Sequence, residues 1–184
     1  KKKKTYKDIH GTKVEVRDDD PANPVNGQVW YNSNTLKGFK LNPTGAFATG
    51  GNMNTTRRRM PGVGTQTAAL VISGTADPPV YAQVESYNGT AFSEIADVNT
   101  SREEHAAGGT QASAIVFGDK PNNANTELWN GSSWTEVNDL NAQRLWAASC
   151  GEATAMLFFG GSPNGSASSD DCESWNGTSW TEVG

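Results

Sequence analysis

The sequence predicts an all-β fold made of repeated four-stranded units of the propeller-blade type, and three observations predict it. The phrase Glu127-Leu128-Trp129-Asn130-Gly131-Ser132-Ser133-Trp134-Thr135-Glu136-Val137 occurs twice more in closely similar form, at 85–95 and 173–183. Its first aromatic is Tyr87, Trp129 or Trp175, spaced 42 and 46 residues apart, which is the period of propeller blades or solenoid units. The 184 residues include 20 Gly, are rich in Asn, Ser and Thr, and show no sustained helical period, a composition of short strands and tight turns. Each unit also carries one short apolar run closed by Gly, the mark of a strand covered on both faces.

The chain divides on charge as well as on pattern. Residues 1–45 hold nine Lys/Arg against five Asp/Glu, and 46–184 hold six against fifteen, so the head is +4 and the repeats are −9. The acidic body argues against nucleic-acid binding by the repeats. No run of about 18 apolar residues and no signal-peptide pattern occurs, so no membrane insertion is expected.

Residues 1–45 read as an extended, partly β attachment segment. Lys1 to Lys4 form a basic tail, read as solvated rather than as a contact for an acidic partner. The stretch from Thr12 to Arg17 alternates like an edge strand through Val14 and Val16. Asp18-Asp19-Asp20-Pro21 reads as a solvated turn, because it lacks the spaced oxygen ligands of a calcium loop. Residues 28–32, with Val29, Trp30 and Tyr31, and 36–41, with Phe39, read as two strands around a polar turn. Residues 42–47 imitate the hairpin phrase of the repeats, as a degenerate outer half-repeat.

From 46 to 184 three units follow, at approximately 54–95, 99–137 and 141–183. Each opens on an Arg (Arg57, Arg102, Arg144) and a stretch of small residues suited to a crowded inner strand. The apolar run comes next: Ala69-Leu70-Val71-Ile72, Ala114-Ile115-Val116-Phe117 or Met156-Leu157-Phe158-Phe159. A loop of variable length follows, at 75–83, 119–126 and 162–171. Its variability marks Asp77, Pro78, Tyr81, Lys120, Asn122, Asn123, Asn164, Asp170 and Asp171 as candidate exposed binding residues. The unit closes on an aromatic hairpin whose Asn-Gly supplies the positive φ of a tight turn, with Phe92, Trp134 or Trp180 available to pack on the next unit.

No catalytic or metal constellation emerges. His10 and His105 stand apart from any Cys or carboxylate at ligand spacing, and His105 reads as a packing or pore-lining residue. Glu94, Glu136 and Glu182 recur in every unit, which argues for structure rather than acid/base work. Cys150 and Cys172 read as two small buried thiols rather than a bridge. Arg57-Arg58-Arg59 is a candidate basic contact for a phosphate or carboxylate-rich partner, with a charged blade edge as the plainer alternative. No cofactor is expected.

The order Arg, small residues, apolar strand, glycine, variable loop, aromatic-Asn-Gly and Trp-Thr-Glu-Val resembles the kelch repeat over roughly 47–184, with Ser73-Gly74 and Gly118-Asp119 replacing its double glycine in two units. Two further phrases resemble bacteriophage structural proteins, particularly of marine phages: Asp20-Pro21-Ala22-Asn23-Pro24-Val25-Asn26-Gly27-Gln28-Val29-Trp30-Tyr31-Asn32, and Asn54-Thr55-Thr56-Arg57 through Gly64-Thr65-Gln66-Thr67-Ala68-Ala69-Leu70. That resemblance implies a non-enzymatic virion protein, a tail fibre or a capsid fibre or decoration protein. It would be held to other virion proteins by residues 1–45 and would display its loops to a host surface glycan or protein. The alternatives are a kelch-like binding module, either lectin or protein-interaction domain, and part of a propeller enzyme of the copper-oxidase kind. Three units do not close a ring of four to eight blades. The array therefore reads as an incomplete propeller, with closure expected from further repeats past Gly184, or else from identical chains in a homo-oligomer or a neighbouring virion protein.

Overall fold

The computed structural model describes residues 50–119 and 123–184 in full, and the backbone of 15–17, 29–32 and 35–38. The chain falls into two compact units, Lys1–Ala48 and Thr49–Gly184. In the first, β1 (Glu15–Arg17), β2 (Val29–Asn32) and β3 (Thr35–Gly38) form a sheet in that order. β1 runs parallel to β2, and β2 and β3 form an antiparallel pair in which Tyr31 faces Leu36. Val16, Val29, Trp30 and Tyr31 thus lie on strands, whereas Val14 and Phe39 fall outside the described residues.

The second unit is all-β, without a helix among the described residues, and consists of three four-stranded antiparallel sheets. The first contains β4 (Gly62–Thr65), β5 (Ala68–Thr75), β6 (Val80–Tyr87) and β7 (Phe92–Ile95). The second contains β8 (Ala106–Gly109), β9 (Ala114–Asp119), β10 (Asn123–Trp129) and β11 (Trp134–Val137). The third contains β12 (Ala148–Glu152), β13 (Ala155–Phe159), β14 (Cys172–Trp175) and β15 (Trp180–Glu182). Each sheet is a meander with its strands in chain order. The small-residue strand comes first in each, and β8 lies beside both β4 and β12. Ser149 Oγ on β12 donates to the Ala107 carbonyl on β8 at 3.0 Å. Small side chains permit this approach: a Cβ on Gly108 would stand 2.0 Å from the Met156 methyl.

Two apolar cores fill the spaces between sheets. Val63, Leu70, Ile72 and Val84 of the first sheet meet Ala114, Val116, Trp129 and Trp134 of the second, with Val98 of the connecting segment. The other side of the second sheet gives Ala106, Ile115 and Phe117, which meet Met156, Phe158, Trp175 and Trp180. β9 is therefore buried on both faces, as its unbroken apolar run predicts. β13 is not. Met156 and Phe158 are buried, but Leu157 and Phe159 each remain 40% exposed, because among the described residues only one face of the third sheet has a neighbour. The uncovered face, which carries Leu157 and Phe159, also carries Cys150 and Cys172, which are free, exposed and half-buried respectively; the expectation of buried thiols fails for that reason.

The hairpin differs from the tight turn that Asn-Gly predicts. Tyr87 pairs with Phe92 and Trp129 with Trp134, leaving four-residue loops in which only the glycine has positive φ, as at Gly131 (95°). The Asn acts through its side chain: Asn130 Oδ1 accepts from the Ser132 and Ser133 amides, both at 2.9 Å. Antiparallel meanders put these hairpins at one end of every sheet. The variable loops and the segments that connect one sheet to the next share the opposite end.

Candidate functional site

What holds each connecting segment at that end is a repeated carboxylate clamp. Glu85, Glu127 and Glu173 on the third strands are all but fully buried, and a buried carboxylate persists only when paired and hydrogen-bonded. Glu127 Oε2 accepts from the Asn99 amide at 2.7 Å and from Asn99 Nδ2 at 2.9 Å; its Oε1 accepts from the Thr100 amide at 3.1 Å and Arg102 Nη2 at 2.6 Å. Asn54, Thr55 and Arg57 make the same four bonds to Glu85. Asn141, Ala142 and Arg144 make them to Glu173. The recurring Glu94, Glu136 and Glu182, by contrast, are exposed. The Asn-x-x-Arg spacing and the Glu two residues before the first hairpin aromatic are both visible in the sequence, yet nothing in one strand's pattern says that they meet.

The clamp changes the reading of the arginine triplet. Arg57 is buried, its guanidinium bound to Glu85 and the Gln83 carbonyl. Burial lowers its pKa, against the pull of Glu85. It offers nothing to an outside partner. Arg58 and Arg59 are exposed and both reach Asp77, and Arg59 also binds Glu103 at 3.0 Å and Glu104 at 3.2 Å. The basic contact is thus set among carboxylates.

Two residues past each clamp arginine the backbone enters the left-handed region, at Arg59 (φ 58°), Glu104 (57°) and Trp146 (58°). A non-glycine residue there costs roughly 1–2 kcal/mol. The three positions are tied in series: the Glu104 amide donates to the Arg59 carbonyl at 3.0 Å, and the Trp146 amide to the Glu104 carbonyl at 3.4 Å. One repeated backbone thereby presents three different side chains side by side. They line an open cavity of about 460 Å³, together with Met60, Pro61, His105 and Ala147.

His105 is 9% exposed, and neither of its ring nitrogens has a hydrogen-bond partner. Burial, with Arg102 nearby, holds its pKa well below the usual histidine value, so the ring is neutral at pH 7, with one donor and one acceptor nitrogen. Glu104 Oε2 is likewise buried and unpaired. Trp146 is the opposite case, 57% exposed, while Trp129, Trp134, Trp175 and Trp180 are buried. Trp146 also lines a second cavity of about 350 Å³, with Gly161, Ser162 and Gly165–Ser169.

The other sequence candidates spread around this end. Asp77 and Pro78 are exposed beside Arg58 and Arg59, and the half-buried Tyr81 accepts from the Arg102 amide through its carbonyl. Asn123 and Asn164 use their side chains to cap local turns. Asp170 and Asp171 are exposed, the latter 3.6 Å from Arg144. Lys120 and Asn122 lie outside the described residues. Of these candidates the cavity gathers only Arg59. Glu104 and Trp146 escape sequence reading because they differ at a repeated position, and an alignment of repeats draws the eye to what is shared. Among the described residues no group of three or more His, Cys, Asp or Glu is placed to hold a metal ion, and no helix is long and apolar enough to cross a membrane.

No protein-family model matches this sequence, and no curated protein does either.

Proposed function

We propose that this chain is a non-enzymatic structural component of a bacteriophage virion, an appendage of kelch-like propeller blades attached through residues 1–45 and used for recognition at the loop end of its sheets. The observation that carries the recognition role is the division of labour between repeated and unrepeated residues. Everything common to the three units, the clamp, the aromatic hairpin and the apolar strand, holds the scaffold together. Everything that differs, the loops and the Arg59, Glu104 and Trp146 side chains, converges on one end. Binding proteins place variable chemistry on loops over a rigid support. The blade reading is supported by three like sheets whose first strands lie side by side, as in a radial array. The phage reading rests on the head phrase around Trp30 and Tyr31 and on the repeat phrase from Asn54 to Leu70. Its partners would be other virion proteins, identical chains, and a glycan or protein of the host surface.

Peptide mass mapping of purified particles should detect this chain, and the fluorescently labelled chain should stain host cells. A chain lacking residues 1–45 should still stain cells but be missing from particles. Absence of the full chain from particles would overturn the virion role, and a full chain that leaves host cells unstained would overturn recognition.

A further inference from the structure

Resting on the reading of the three sheets as propeller blades, we propose that two copies of this chain pair head to tail and close a ring of six sheets. The open face of the third sheet on one copy meets the open face of the first sheet on the other. Strand register fixes which side chains line these faces. On the third sheet Cys150, Leu157, Phe159 and Cys172 face away from the second sheet. They stand where Gly108, Ile115, Phe117 and Thr126 stand in the second sheet, all of which face the third. On the first sheet Ala69, Val71, Tyr87 and Phe92 are half-buried and share the face turned away from the second. Their counterparts Ala114, Val116, Trp129 and Trp134 are buried against the first sheet. The chain thus carries both halves of its own inter-sheet joint, one on each outer sheet.

Two paired exchanges fit the open faces to each other. Gly108 opposes Met156, whose methyl would collide with a Cβ there, whereas at the same two positions of the first joint Val63 shares its core with the smaller Ala114. Bulk on one sheet is matched by its absence on the next, as close packing requires. Cys150 and Ala69 continue that rule. The second exchange is polar: across the second joint the Trp180 indole N–H donates to Thr126 Oγ1 at 3.1 Å. The open faces put Phe92 and Cys172 at these positions, so donor and acceptor are lost together and no polar group is stranded. A joint between unlike faces either closes into a ring or propagates as a filament. Rings close with about four to eight blades, and of the multiples of three only six lies in that range, so two copies complete it.

The test is sedimentation equilibrium of the full chain at about 50 μM, with calorimetry across a dilution series. The mass should be twice the 19.6 kDa of one chain, and the melting temperature should rise with concentration. Leu157→Asp should return the mass to that of one chain while the dilute protein keeps its β circular dichroism, because the side chain is 40% exposed. Phe159→Ala should loosen the pair and cost the dilute single chain little. Ala69→Met should dissociate the pair, and adding Cys150→Gly, which copies the Gly108–Met156 joint, should restore it. A single-chain mass would give these faces to another occupant and overturn the inference. So would a mass above two chains, association indifferent to Leu157→Asp, or a double variant no better than Ala69→Met. Particle mapping and cell staining separate this from the wider reading. A single chain that is found in particles and stains host cells leaves virion recognition standing and removes the pairing; a paired chain missing from particles does the reverse.

Discussion

Glu127→Gln keeps the outline of the central clamp and removes its charge, so it isolates what the buried carboxylate contributes. The side chains of Arg102 and Glu127 are 0% and 1% exposed, and each carboxylate oxygen accepts from two donors. Whichever way the new amide turns, its NH2 group confronts two of those donors, and Arg102 is left as a buried cation. Breaking a buried pair from one side costs about 3–5 kcal/mol, a large share of the roughly 5–15 kcal/mol that holds a domain folded. For a unit spanning Thr49–Gly184 that is a fall in melting temperature of roughly 10–15 °C, read by calorimetry and by urea unfolding. Arg102→Met with Glu127→Met should cost much less than the sum of the two single changes, since no charge is then stranded. Glu136→Gln, on an exposed residue, should stay within about 0.5 kcal/mol. A loss below about 1 kcal/mol for Glu127→Gln would refute the view that the clamp fastens the connecting segments.

Three further outcomes are expected. His105 is held neutral by burial, with Arg102 adding to the effect; its folded-state pKa is depressed, so its contribution to stability is complete above about pH 6.5 and is lost as pH falls toward the folded value. Urea unfolding should show a slope of up to about 1.4 kcal/mol per pH unit below that point, removed in His105→Met, the residue the first unit carries as Met60; an unchanged slope in that variant would contradict the assignment. Phe117→Ala should cost about 3–5 kcal/mol, but Phe159→Ala, at the matching position of the half-covered third sheet, only about 1 kcal/mol, and equal losses by urea unfolding would show that face to be covered. Residues 49–184 expressed alone should unfold cooperatively with the same β circular dichroism, whereas loss of that signal would make residues 1–48 part of the fold.

Much of the architecture was legible because it repeats. Strand positions, the aromatic pairs and the two-faced burial of β9 follow from periodicity and composition, which act locally. What escaped depends on partners remote in sequence. Glu127 meets Asn99 and Arg102 across more than twenty residues, and only the sheet's curl back onto its own connecting segment brings them together. The exposure of Leu157, Phe159 and Cys150 was equally hidden, since an apolar strand reads the same whether one or two neighbours cover it. The cavity was hidden for another reason: positive φ at Arg59, Glu104 and Trp146 has no signature in residues that ordinarily avoid it.

The clamp also fixes where the array is divisible. The side chains of Asn99 and Arg102 grip the sheet that follows them, as those of Asn141 and Arg144 do, while the Arg102 backbone also bonds Tyr81 and Gly74 of the sheet it leaves. Each unit therefore brings its own latch, and the natural seam lies just after Ile95 or Val137, before the latch begins. Cassettes cut at those seams keep the Asn, Arg and Glu of one clamp together, so exchanging one unit for another should change the loops while the fastening travels with them. Duplication or deletion of whole four-stranded units at these seams would vary the loop end and carry each clamp whole.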